Sequence, residues 1–110
     1  THGVQTSDAP ARVMRVRTDL DRAIALAPQN AYLYYNRGNL HASNGEYSNA
    51  IDDYTRALQI DAYLAEAYYN RGLAYVKNGK KADGIRDLSR AGELGIYDAY
   101  SVIKQISNDK

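Results

Sequence analysis

Tyr34-Tyr35-Asn36-Arg37-Gly38 and Tyr68-Tyr69-Asn70-Arg71-Gly72 are the same five residues, 34 positions apart. A fixed offset of this length marks a repeat architecture, in which each unit buries its apolar face against the next. The rest of the chain keeps the register. Ala31 pairs with Ala65, Leu40 with Ala74, Asn44-Gly45 with Asn78-Gly79, Ile51 with Ile85, Asp53 with Asp87, Arg56 with Arg90 and Ala57 with Ala91. Backwards, Leu20, Ala23 and Ile24 stand one period before Tyr54, Ala57 and Leu58; forwards, Ala99 stands one period after Ala65.

Within each period the apolar spacing is helical. Leu33, Tyr34, Gly38, Leu40, His41 and Ala42 spread over a wide face, which predicts a helix over 31–43 buried on more than one side. Asn44-Gly45 stops it, because both residues tolerate a left-handed C-terminal conformation. Tyr47, Ala50, Ile51, Tyr54, Ala57 and Leu58 predict a second helix over 47–60. Asp61 is the expected cap of a third, over 64–77, which Asn78-Gly79 breaks. A fourth is expected over 81–94, ending at Gly95. A short fifth is expected over 98–107, with Val102, Ile103 and Ile106 as its apolar face and Lys104, Gln105, Ser107, Asn108 and Asp109 as a polar cap. Before them all, Val13, Val16, Leu20 and Ile24 form one stripe of a helix over 9–26, which Pro28 ends. No segment alternates with period two. The expectation is an all-α solenoid of about six helices: a polar tail over 1–8, a half-repeat over 9–28, repeats over 31–64 and 65–98, and a capping helix over 98–107.

The pattern resembles the tetratricopeptide repeat family. Tyr34 and Tyr68 stand at its first aromatic position, Gly38 and Gly72 at its glycine, and His41 and Tyr75 at the next aromatic. Ala50 and Gly84 take the small position of the second helix, Tyr54 and Leu88 its large one, and Ala57 and Ala91 its second alanine. The closing proline appears once, as Pro28; Ala62 and Ile96 replace it later. Glycine and alanine let paired helices approach while the aromatics fill the wedge between them.

Composition removes several function classes. The 110 residues carry 14 Lys and Arg against 13 Asp and Glu, a net charge of +1 that gives no bulk attraction to nucleic acid or to an anionic membrane. Over 31–78, Arg37, Arg56, Arg71 and Lys77 face Glu46, Asp52, Asp53, Asp61 and Glu66, a negative balance unsuited to an RNA groove. The chain has no cysteine, hence no disulfide, thiolate metal site or cysteine nucleophile. The longest apolar run is Ala23 to Ala27, far short of a bilayer span. No signal peptide is visible, and the chain starts at Thr1, so further N-terminal sequence is expected in its parent. The compartment stays open, with a slight preference for the cytoplasm. Tyrosine occurs 11 times while Phe and Trp are absent, so the aromatic bulk everywhere carries a polar tip.

The resemblance implies that the first helix of each pair lines a concave groove. Helical geometry then places Tyr32, Tyr35, Asn39 and Ser43 there from the first repeat, and Glu66, Tyr69, Leu73 and Lys77 from the second, with Asn70 leaning in. The final helix adds Tyr100, Ile103 and Lys104. Tyr35 and Tyr69 stand beside aromatics that already fill the core. They read either as interface anchors or as covers for the adjacent repeat. Asn39, Asn70 and Lys104 also fall on three positions of the carboxylate clamp by which the family's co-chaperones hold a peptide C-terminus. Tyr35 and Tyr100 occupy two of its basic positions. At the N-terminus, Val13, Val16, Leu20 and Ile24 form a possible assembly face, because the helix lacks the partner that a solenoid end needs. Arg12, Arg15 and Arg17 beside it read as a solvated face.

No catalytic or metal constellation is visible. His41 reads as a packing residue. Asp52 and Asp53 are neighbours on a helix, point about 100° apart and read as a solvated face. Gly92 and Gly95 lie at a helix end, outside any phosphate cradle. The expected function is a non-enzymatic module, without cofactor, that binds a peptide or partner protein in the concave groove. The alternative is a structural segment of a longer array that self-associates through its N-terminal helix.

Overall fold

The computed structural model describes the backbone of residues 2–109 and the side chains of residues 10–109. Six helices follow one another: α1 His2–Leu26, α2 Ala31–Ser43, α3 Tyr47–Ile60, α4 Ala65–Lys77, α5 Lys81–Glu93 and α6 Asp98–Asn108. No strand occurs among the described residues. Each helix packs on the next in the chain, and α2 also meets α4.

The ends of α2, α4 and α5 repeat one device. Gly45, Gly79 and Gly95 take φ of +77°, +82° and +112°. The following N–H reaches back to the last turn: Glu46 N–H donates to His41 O at 2.9 Å, Lys80 N–H to Tyr75 O at 2.8 Å and Ile96 N–H to Ala91 O at 2.9 Å. This is the six-to-one closure that satisfies orphan carbonyls and needs a left-handed residue. The preceding Asn44 and Asn78 stay right-handed, so glycine alone supplies the turn. At the other ends, Asn30 caps α2 by accepting from Tyr32 N–H at 3.1 Å. The expected Asp61 cap is corrected. Its carboxylate accepts from Tyr63 N–H at 3.0 Å, within the turn, and α4 starts after Leu64 with no side-chain cap.

The core is a row of three clusters rather than one centre. The first holds Ala31, Tyr34, Ala57, Leu58, Leu64 and Ala67; the second Ala50, Tyr54 and Ala74; the third Leu88, Ala91 and Ala99. Tyr35 packs on the first two, and Tyr68 on the first and third. Nearest-neighbour stacking of this kind is what makes a solenoid quasi-one-dimensional. The helices pass closely where glycine stands. A Cβ on Gly72 would lie 2.9 Å from Gly84 O, and one on Gly84 would lie 2.7 Å from Gly72 O. Gly84, a departure from the usual alanine, is therefore what lets α5 lie against α4.

Two aspartates correct the reading of Asp53 as solvated. Asp53 is 7 % exposed and Asp87 5 %, while Asp52 is exposed. Arg37 grips Asp53 through Nε and Nη2, both at 2.8 Å, and Arg71 grips Asp87 the same way at 2.7 and 2.8 Å. The remaining nitrogen of each arginine reaches one helix back, to Asp21 at 2.8 Å and to Thr55 at 3.1 Å. Every partner here is displaced by the same period. Two-point contact on a buried carboxylate is the strong form of the ion pair. Each arginine also lies over a core tyrosine, Arg37 over Tyr34 at 5.8 Å and Arg71 over Tyr68 at 5.7 Å.

α1 begins at His2, well before the expected start near Ala9, so residues read as a polar tail lie in the helix. Proline within a helix is disfavoured, because the residue before it resists the α conformation. Here the helix runs through an exposed Pro10. α1 is tied down by three contacts. Ile24 packs on the first core cluster, Asp21 pairs with Arg37, and Arg17 pairs with Glu46 at 2.8 Å. Arg17 is thus not part of a solvated face; Arg12 and Arg15 are exposed. His41 does more than pack. Its Nδ1 lies 2.7 Å from Glu46 Oε1 and its Nε2 3.5 Å from Asp53 Oδ2.

The hydrogen bond from His41 holds the Glu46 carboxyl below its ordinary value; Arg17 adds to this, and desolvation opposes it. A carboxyl lowered on folding stabilises above its unfolded value and loses that contribution as the pH falls through its folded value. Urea titrations at pH 7 and at about pH 3 measure this. Glu46→Gln is expected to be less stable than wild type at pH 7 and to converge with it at the lower pH. A gap that stays constant would show that Glu46 gains nothing from its charge.

Candidate functional site

The C-terminal half of α2, the first half of α3 and the C-terminal part of α4 enclose an open cleft of about 300 Å³. Asn39, Ala42 and Ser43 come from α2, Tyr47 and Tyr54 from α3, and Asn70, Leu73, Ala74 and Lys77 from α4. The volume stands at the lower end of ligand pockets, which run from roughly 300 to 1,000 Å³. It suits a side chain with a stretch of backbone.

A hydrogen-bonded chain crosses the cleft. Tyr54 Oη donates to Asn39 Oδ1 at 2.6 Å, and Asn70 Nδ2 donates to Asn39 Oδ1 and to Tyr35 Oη, both at 3.0 Å. Tyr54 is 1 % exposed, and burial, then Tyr35 and Asp53, push its phenol well above its ordinary value. The phenol keeps its proton and donates it to the Asn39 oxygen. The Tyr35 ring lies 5.9 Å from that of Tyr54 and edge-on to Tyr32 at 6.3 Å. Lys77 is exposed, makes no ion pair among the described residues and is the one charged group lining the cleft.

Five of the expected groove residues meet here: Asn39, Ser43, Asn70, Leu73 and Lys77. The others lie elsewhere. Tyr32 lines a separate shallow groove with Pro28, Asn30 and Ile60. Glu66 is exposed in the first turn of α4. Tyr69 and Ile103 pack against the third core cluster. Tyr100 lays its ring over Gly92, where an added Cβ would sit 2.8 Å from the ring's Cε atoms, so it joins α6 to α5. Lys104 is exposed on α6 and does not line the cleft. Tyr35 is half-buried, a cover for the adjacent repeat whose hydroxyl belongs to the cleft network. On α1, Val16 is 49 % exposed and Met14 is exposed, Val13 and Leu20 are half-buried, and Ile24 faces the core.

Ala42, Tyr47, Tyr54 and Ala74 line the cleft and were not expected there. The repeat itself holds a signal for Tyr54. Asn39 and Tyr54 become Leu73 and Leu88 one period on. A polar pair in one repeat and an apolar pair in the next marks two residues that touch.

Among the described residues no three side chains are grouped to hold a metal. His41 lies between Glu46 and Asp53, but Arg17 and Arg37 occupy those carboxylates. No helix among them is long and apolar enough to cross a membrane.

Solved structures share the architecture. The first TPR of Spaghetti (RPAP3), bound to the HSP90 peptide SRMEEVD, superposes with a TM-score of 0.82 at 19% identity, covering 96% of this chain and 86% of that one. The second TPR domain of human RPAP3, in complex with the HSP70 peptide SGPTIEEVD, gives 0.82 at 24% identity, covering 98% and 89%. The crystal structure of MamA gives 0.71 at 31% identity over 80% of this chain, which spans about half, 48%, of that protein. No curated protein sequence matches. Of the family models, the one described as TPR repeat matches residues 38–79, and two described as Tetratricopeptide repeat match residues 20–52 and 65–94. Together the three run from the second half of α1 through both helix pairs, and the chain belongs to the tetratricopeptide repeat family.

Proposed function

We propose that the chain is a non-enzymatic binding module that takes an extended segment of a partner protein in the α2–α4 cleft. The observation that carries this reading is the Asn39–Asn70 amide pair, held across an open cleft by two tyrosine hydroxyls. Side-chain amides fixed in place beside Leu73 and Ala42 suit a ligand with both a polar backbone and an apolar side chain. Two solved domains of the same fold hold short peptides, which supports reading the cleft in this way.

Ser43 gives a clean test, because it is exposed on the cleft wall and, among the described residues, its hydroxyl bonds to Leu40 O of its own helix alone. Ser43→Arg fills the cleft without entering the core. A random heptapeptide display library panned on the wild type is expected to enrich a sequence family. Ser43→Arg, folded by circular dichroism, is expected to bind those peptides at least tenfold more weakly. No enrichment, or equal binding by the variant, would remove the cleft as the working surface. The exposed Val16 and Met14 of α1 would then favour the alternative of self-association.

A further inference from the structure

The cleft's hydrogen-bonding inventory can be counted. Both N–H groups of the Asn70 amide are committed, one to Tyr35 Oη and one to Asn39 Oδ1. Asn39 Oδ1 accepts twice, from Asn70 and from Tyr54. Asn39 Nδ2 and Asn70 Oδ1 have no hydrogen-bond partner among the described residues. The pair therefore offers one donor nitrogen, carrying two N–H, and beside it one acceptor oxygen. That is the complement of a main-chain amide, which needs a donor for its C=O and an acceptor for its N–H. It is a poor match for a carboxylate, which only accepts and would face the Asn70 oxygen.

Charge points the same way. A terminal carboxylate needs cations or several free N–H donors. The cleft has one cation, Lys77, and the Tyr35 group that joins the asparagine network is a neutral hydroxyl. No carboxylate lines the cleft to compete for Lys77. Between the asparagines and Lys77, Leu73 and Ala74 on one side and Ala42 and Tyr47 on the other form an apolar stretch.

We propose that the ligand is an internal stretch of polypeptide: one main-chain amide pairs with Asn39 and Asn70, an apolar side chain lies against Leu73 and Ala42, and an acidic side chain meets Lys77. This rests on the reading of the cleft as a peptide site and names the peptide's chemistry. The cleft selects a segment within a chain and gives no preference to a chain end.

The test pans two random heptapeptide libraries on the wild-type protein, one displayed with a free C-terminal carboxylate and one fused at both ends. The expected result is enrichment from the fused library, with an acidic residue close to an apolar one. Those peptides, synthesised with acetyl and amide ends, are then titrated by fluorescence anisotropy. Lys77→Glu, a change at an exposed side chain with no ion pair among the described residues, is expected to weaken them at least tenfold. Peptides with the acidic residue replaced by lysine are expected to recover binding to Lys77→Glu. Enrichment confined to the free-carboxylate library, or capped peptides indifferent to Lys77→Glu, overturns the inference while leaving a peptide-binding module. Enrichment from neither library removes both readings together.

Discussion

Arg71→Ala is expected to destabilise the fold by about 3–5 kcal/mol, the usual result of removing one partner from a buried ion pair. Asp87 has 7 % of its side chain exposed, and Arg71 supplies both hydrogen bonds to its carboxylate. Without them the charge is left in a low-dielectric site with no counter-ion. The same deletion removes the cation over Tyr68 and Tyr75, each 5.7 Å from the ring centre, and the tie to Thr55 on the preceding pair. The Asp87 bond is also the main reason that the guanidinium holds its proton more firmly than usual. A domain with a total of about 5–15 kcal/mol cannot absorb this loss unnoticed. Urea denaturation followed by circular dichroism measures it. Arg37→Ala is expected to cost less, because the Arg37 side chain is 25 % exposed against 17 % for Arg71. Arg71→Met combined with Asp87→Leu is expected to recover most of the stability, since the buried charge is then gone. A cost below about 1 kcal/mol for Arg71→Ala would place the pair in the class of surface ion pairs.

The period and the helices were legible because they rest on residues that recur. Gly45 and Gly79 at the turns, alanine at the crossings and tyrosine in the wedge are set by backbone geometry and volume, and these repeat with the chain. The burial of Asp53 was not legible. A carboxylate beside another on a helix has the pattern of a wet surface, and only the third dimension brings Arg37 to it. The clue was present, since Arg37 with Asp53 and Arg71 with Asp87 share one spacing and one offset. Half of the cleft followed from which face of α2 and α4 looks inward. Its far wall did not, because Tyr47 and Tyr54 belong to α3, a helix read only as core. Tyr100 fails for a related reason. The groove assignment assumed that α6 repeats α2 and α4, but Gly92 opens a seat in α5 that the ring fills.

Tyr54→Ala is expected to cost about 3–5 kcal/mol, the range for emptying a buried aromatic site. Tyr54→Phe, which keeps the ring and loses the bond to Asn39, is expected to cost about 1 kcal/mol. The neighbour beneath the ring makes a sharper statement possible. A Cβ on Gly38 would lie 2.7 Å from Tyr54 Cε1 and 2.8 Å from its Cδ1. The ring cannot step aside, since it is buried against Ala50 and Ala74 and held at its tip by Asn39. Gly38→Ala in the wild type therefore sets overpacking of about 1–3 kcal/mol against about 1 kcal/mol of helix propensity, and is expected to be destabilising. In the Tyr54→Ala background the clash is gone, the propensity gain remains and the new methyl enters the cavity. The same substitution is then expected to stabilise. A reversal of sign across the four proteins of this cycle is the coupling expected of two residues in contact. Equal effects of Gly38→Ala in both backgrounds would mean that the helices part without resistance, and that the glycine of this repeat serves something other than close approach.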